Sequence, residues 1–243
     1  MSTARLGRYV AWQTLDFLRE RGLAIALILS ALTLAAGMIG AEGPEAGFSG
    51  AAGLVRLSRF TLSLVTSISL LFLVVGFNGL CSADRTQGFA RFYFAKPVDP
   101  SAFYGLKWLV HAVGLGAIVL AWTGTLAAVY GPYDAAATLV AFGLRLMLYG
   151  GLFFLLSVLL SAEVAAFSGL YLGGELAKLL ADDRAWARTA VTWAFPWHRL
   201  TELDALLEKG AALPLDAVLH VTGTGLGALV LGLVLLRRRR LVT

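Results

Sequence analysis

Apolar runs of about span length dominate this chain, separated by short charged stretches. Residues 23–41, 60–83 and 108–133 contain no Asp, Glu, Lys or Arg. Residues 135–162 are interrupted only by Arg145, residues 164–181 carry Glu175 and Lys178, and residues 217–236 contain His220 but no full charge. A transmembrane helix needs about 20 predominantly apolar residues to cross roughly 30 Å of hydrocarbon. The pattern therefore predicts an all-α membrane protein with six transmembrane helices in a single domain covering residues 1–243.

Ahead of the first run, Arg5, Arg8, Asp16, Arg19 and Glu20 share one arc of a helical wheel, and Leu6, Val10 and Phe17 another. That is the pattern of an amphipathic helix at the membrane surface; an anchor for the first span is the plainer reading. The apolar run begins only behind this charged helix, so it does not read as a secretory signal. Residues 42–59, rich in Gly and Ala, predict a mobile external loop. Residues 182–215 hold Trp186, Trp193 and Trp197 and predict a segment in the membrane interface, where tryptophan is favoured. Within it Thr201 can cap a short helix over 202–209, stopped by Gly210.

Composition agrees: 58% of residues are hydrophobic and 14% charged, with a mean hydropathy of +0.78. A soluble surface needs roughly 25% charged residues. The net charge of +5 matters through its placement rather than as a nucleic-acid signal. With the N-terminus inside, basic residues gather on the inner side in three groups: Arg5 to Arg21, Arg85 to Lys107, and Arg237 to Arg240. Both termini are then expected in the cytoplasm.

Candidate chemistry is sparse. The single Cys81 excludes an internal disulfide and a multi-thiolate metal site. The sequence contains no phosphate loop and no His-Glu-x-x-His metal motif. Gly47-Phe48-Ser49-Gly50 matches a short string of intramembrane serine proteases, but it falls in a predicted loop where such a string is cheap. His111 and His220 lie near opposite ends of their spans and read as packing residues. An intramembrane enzyme would need Ser49, His111 and Glu175 to converge, and their predicted depths differ.

Charges inside spans carry more information, since each costs about 2.5–3.5 kcal/mol at a helix centre. The structural reading pairs Arg145 with Glu175 while Lys178 snorkels outward. The functional reading places Arg145 on the path of an anionic substrate.

The connection between the second and third runs is the richest segment. It contains Asp84-Arg85, Gly88, Phe89, Arg91, Phe92-Tyr93-Phe94, Lys96-Pro97-Val98 and Asp99-Pro100, and leads to Lys107. Asp99 before Pro100 predicts a helix start, a side-chain cap followed by the favoured first-turn proline. Pro97 disfavours helix at Lys96. The aromatic cluster can lie on the membrane surface or fill a groove on a soluble partner.

These positions resemble the permease subunits of type-2 ABC transporters, in which a span is followed by an acidic-Arg pair, a glycine, a hydrophobic run, Pro-Val and a lysine entering the next span. Among them the chain looks most like bacterial permeases associated with multicopper-enzyme maturation. It departs in its aromatic richness, Phe92-Tyr93-Phe94 standing where leucines are usual. The resemblance implies the membrane subunit of an exporter in the bacterial cytoplasmic membrane. It implies a second permease copy, identical or related, and two separate ATPase subunits that bind ATP and magnesium, with no cofactor and no catalysis in this chain. It assigns ATPase coupling to 84–97, with Asp84, Arg85, Gly88, Phe89, Phe92, Tyr93, Phe94 and Pro97 as its residues. A stand-alone carrier or a structural membrane subunit is the alternative, and the substrate stays open.

Overall fold

The computed structural model describes residues 3–40, 50–88, 99–181 and 183–238, with side chains from 7–34 and from 52 onward within those segments. Every element among the described residues is helical. Helix α1 (Thr3–Phe17) passes through a π-helical turn (Leu18–Gly22) into α2 (Leu23–Gly40). There follow α3 (Gly50–Phe77), the short α4 (Ser82–Thr86), α5 (Pro100–Tyr130), α6 (Ala136–Leu159), α7 (Glu163–Leu180), α8 (Ala185–Ala194), α9 (Trp197–Glu208) and α10 (Leu215–Arg238).

Among the described residues four stretches are long and apolar enough to cross a membrane: Ala52–Thr86, Pro100–Tyr130, Ala136–Leu159 and Leu215–Arg238. The other two predicted runs fall on helices of 18 residues each. Helix α2 carries no charge, whereas α7 carries Glu163, Glu175 and Lys178. The expected boundaries shift in two places. Arg56 and Arg59 were expected in a loop but belong to α3, which begins at Gly50. A helix tolerates them because both lie exposed on one face while Gly53, Leu57 and Thr61 turn inward. Helix α9 starts at Trp197 rather than beyond Thr201, because Trp197, Leu200 and Leu203 form a buried stripe at helical spacing that outweighs the local cap signal. The start of α5 is as its sequence predicts: the Asp99 carboxylate accepts from the Ser101 N–H at 3.0 Å, with Pro100 in the first turn.

Helix α6 is the hub, flanked by α10 and α3 and touched by α5, α7 and α9. Its contact with α10 depends on two glycines. A Cβ on Gly151 would stand 2.0 Å from the Gly225 carbonyl oxygen, and one on Gly225 would stand 2.2 Å from the Met147 oxygen. In lipid, where apolar side chains gain little by leaving the solvent, such backbone contact is a main source of helix association. Around the crossing Leu148, Phe153, Phe154 and Val221 are buried, and Trp108 Nε1 donates to the Gly150 carbonyl at 3.0 Å. Helix α1 lies against α5, with Phe17 in the core while Trp12 and Leu15 stay exposed.

Candidate functional site

Two groups of polar side chains stand out from the apolar bundle among the described residues, one at the C-terminal end of α6 and one about Arg145 within it. The first forms where α3 ends. Ser157, in the last turn of α6, accepts hydrogen bonds on its Oγ from the N–H groups of Cys81 at 2.7 Å and Ser82 at 3.2 Å. Glu163, the first residue of α7, accepts on Oε1 from the Gly79 N–H at 2.5 Å and the Ser82 hydroxyl at 2.6 Å. Arg85 donates from Nη1 to the Val158 carbonyl at 3.0 Å, and from Nη2 to those of Ser157 at 2.8 Å and Leu160 at 2.7 Å. It thereby satisfies carbonyls that a helix C-terminus leaves without partners. Asp84 accepts from Lys107 Nζ at 3.0 Å, and Lys107 also donates to the Leu80 carbonyl at 3.1 Å. Arg21 closes the cluster by donating to the Gly76 carbonyl at 2.8 Å. Burial lowers the Arg21 guanidinium from its ordinary range, opposed by Glu20, Asp16, Asp84 and Glu163.

The acidic-Arg pair of the sequence motif thus faces inward and ties the root of the 84–97 connection to α5 and the end of α6, while Gly79 and Ser82 just before it tie to Glu163 of α7. Gly88 is exposed with a backbone φ of 78°, and a Cβ there would meet nothing within 4 Å. Its glycine answers to backbone conformation, not to crowding within this chain. Phe89, Phe92, Tyr93, Phe94 and Pro97 lie outside the described residues. At the start of α5, Arg237 of α10 donates to Ser101 Oγ at 3.0 Å and stands 3.8 Å from Asp99. Sequence reasoning missed Ser157 and Glu163. Glu163 merely precedes an apolar run, and nothing local links it to Gly79, 84 positions away.

The second group lies beneath α9. Arg145, nine residues into α6, is buried, and both of its terminal nitrogens bond Asp204 of α9: Nη1 to Oδ1 at 2.8 Å, and Nη2 to Oδ2. Nη1 also donates to the Ala141 carbonyl at 3.2 Å. The expected pair with Glu175 is therefore not formed. Asp204 takes its place because α9 folds back into the bundle and carries an acid to the depth of Arg145. Glu175 instead stands 3.6 Å from His198 Nδ1, and the other ring nitrogen of His198 lies 3.2 Å from the Gly174 carbonyl. Lys178, one turn further along α7, is exposed, as a snorkelling lysine would be.

Arg145, Glu175 and Asp204 line a cavity of about 270 Å³ with Tyr149, Tyr171 and Trp197. Its remaining wall is Thr66, Ser67, Ser69 and Leu70 of α3 with Leu200 and Thr201 of α9. Tyr171 stacks on Trp197 with ring centroids 5.5 Å apart, which fixes α9 over α7. Ser69 Oγ and Trp197 Nε1 are buried without a hydrogen-bond partner among the described residues.

His111 and His220 join neither group. His111 is buried against Phe17, with centroids 5.0 Å apart, and faces the Lys107 carbonyl at 3.3 Å. His220 packs on Trp193 at 4.5 Å. Among the described residues no three His, Cys, Asp or Glu gather as metal ligands. Comparison of the chain with protein-family models, with curated proteins and with solved structures gave no match.

Proposed function

We propose that this chain is the membrane subunit of an ATP-binding cassette exporter, driven by separate ATPase subunits that dock on 84–97. The observation that carries the reading is the junction at Asp84 and Arg85. A partner pressing on 84–97 meets a root bonded to α5 through Asp84, to α6 through Arg85 and to α7 through Gly79. Displacement there moves three helices, whereas a loosely tethered loop would absorb it. In this reading α2 and α7 join the four longer stretches to make six spans. At 1.5 Å per residue their 18 residues reach about 27 Å, close to the hydrocarbon thickness. Both termini face the cytoplasm by the distribution of Lys and Arg.

A second copy of the permease is supported by α3. Its exposed stripe includes Arg56, Arg59, Ser63 and Ser67, which are costly groups to turn toward lipid. Facing another copy across a hydrated path, the same groups stay solvated.

The test is whether an ABC ATPase co-purifies with this chain, with transport measured in the reconstituted complex. Phe92→Ala combined with Phe94→Ala is expected to weaken ATPase binding, or to leave ATP hydrolysis running without transport. Wild-type binding and coupling in that variant would remove the docking assignment. Absence of any ATPase in the purified complex would favour a stand-alone carrier.

A further inference from the structure

We propose that the outer face of α1 holds anionic phospholipid headgroups, with Arg8 and Arg19 as their cationic contacts. The proposal rests on the reading of α2 as a span, and not on ATPase docking, since a carrier would meet the same lipid.

Helix α1 runs alongside the opening turns of α5. Tyr9 meets Phe103 and Phe17 meets His111, each with ring centroids 5.0 Å apart. Gln13 and Phe17 are buried against the bundle. At 3.6 residues per turn the side of the helix opposite them is Arg8, Trp12, Leu15 and Arg19, which fall in one narrow stripe. All four are exposed, Trp12 at 47% and Leu15 at 46%, and Leu18 beside them is exposed as well. The helix passes through the π-helical turn into α2 without a loop, and there Leu23 and Leu27 are exposed in turn. Uncovered apolar surface thus leads from α1 onto a helix that meets lipid, and the same bilayer can cover both.

The charges of this segment are sorted by side. Asp16 and Glu20 border a cavity of about 350 Å³ together with Arg21, Asp84 and Lys107. Cations oppose these acids: Lys107 bonds Asp84, and Arg21 lies in the field of Glu20 and Asp16. Arg8 and Arg19 stand outside that cavity and have no hydrogen bond or ion pair among the described residues. A free guanidinium presents a planar fork that fits phosphate oxygens. Arginines interleaved with Trp and Leu on one helical face are the pattern of a helix seated at an anionic bilayer surface. A second copy packed on this stripe by two-fold symmetry would instead set arginine against arginine.

The test captures the lipid where it lies. The full chain, with photoreactive benzoylphenylalanine in place of the exposed Ala11, is reconstituted into nanodiscs of equimolar phosphatidylcholine and phosphatidylglycerol, and the crosslinked lipid is identified by mass. Each arginine near an anionic surface contributes about fivefold to binding, so phosphatidylglycerol should be captured in preference by about tenfold or more. High salt should erode the preference, because both charges are exposed. Arg8→Gln combined with Arg19→Gln should abolish it, whereas Arg8→Lys combined with Arg19→Lys should keep most of it. Neither double variant should shift Tm in phosphatidylcholine discs, since neither arginine has a partner to lose. The same crosslinker in place of Leu27 should capture both lipids alike. Absence of lipid at position 27 would overturn both the span and the headgroup contact. Lipid at 27 with equal capture of the two lipids at 11, or with another copy of the chain captured there, would overturn the headgroup proposal alone. So would a preference that survives in the glutamine variant, or one lost equally in the lysine variant.

Discussion

Arg145 and Asp204 grip each other through two parallel hydrogen bonds, although one sits within an apolar helix and the other lies 59 positions further along the chain. Their side chains are 6% and 17% exposed, so water contributes little to solvating either ion. The bidentate geometry suits arginine in particular, since a lysine presents no planar fork to a carboxylate. This contact joins the buried Trp197, Leu200 and Leu203 in holding α9 inside the bundle, over the cavity beside Glu175.

The pair should therefore matter most when it is broken on one side. Removing one member of a buried ion pair leaves the other unpaired, typically at about 3–5 kcal/mol, whereas replacing both with apolar groups is often close to neutral. Arg145→Leu and Asp204→Leu should each lower Tm in detergent, and the double variant should recover much of the loss. Additive losses would mean that the two residues act independently. Glu175→Leu in the same assay should be mild, because Glu175 takes no part in the pair.

The crossing of α6 and α10 makes an equally direct prediction. Gly225→Ala would drive a Cβ against the Met147 backbone, and such overpacking costs about 1–3 kcal/mol or more. Gly227→Ala, on the same helix, meets nothing within 4 Å and should be tolerated. Thermal stability and yield of the two variants separate crowding from any general effect of losing a glycine. Equal behaviour would remove the claim that backbone contact holds these helices.

What could be read from the sequence was local. Apolar runs placed the long helices, and Asp99-Pro100 placed the start of α5, because both signals lie within a few residues of the structure they specify. The partner of Arg145 was not local. Glu175 and Asp204 were both acids of suitable range, and the choice depended on α9 folding inward. Its buried stripe of Trp197, Leu200 and Leu203 reads equally well as a helix lying on the membrane surface. Ser157 and Glu163 escaped for a related reason: each serves backbone groups about 80 residues away, and composition carries no trace of that. The motif positions Asp84 and Arg85 were legible as a pattern, but their inward orientation was not.

Orientation in the membrane is open to chemical labelling. Gln87 and Glu208 are both exposed, and they lie beyond opposite ends of the bundle. Cysteines placed at these positions should differ in whole cells: the one at 208 should react with an impermeant maleimide, and the one at 87 only after the membrane is opened. Native Cys81 is 1% exposed and should give little background. Labelling at 87 with protection at 208 would invert the topology.

The junction at the end of α3 allows a test that separates stability from coupling. Glu163→Gln preserves shape and leaves one acceptor oxygen available to Gly79 and Ser82, but removes its charge. Charged hydrogen bonds contribute about 1.5–3 kcal/mol and neutral ones about 0.5–1.5 kcal/mol, so a moderate loss of stability is expected. Arg85→Leu strips three carbonyls of their donor and leaves Ser157 Oγ, bonded to the Cys81 and Ser82 N–H groups, as the root's remaining hydrogen-bonded tie to α6. Hydrogen exchange should then rise at residues 79–88 and at the last turn of α6, while the Gly151–Gly225 crossing stays protected. If the root transmits force, an Arg85→Leu protein that still binds its ATPase should hydrolyse ATP with reduced transport per turnover. Arg85→Lys should restore only part of that coupling, because an ammonium does not reproduce the guanidinium fork that reaches three carbonyls. Unchanged exchange at 79–88 in Arg85→Leu would show that the carbonyl contacts do not fix the root. Unchanged transport per ATP, with exchange raised, would show that a fixed root is not needed for coupling.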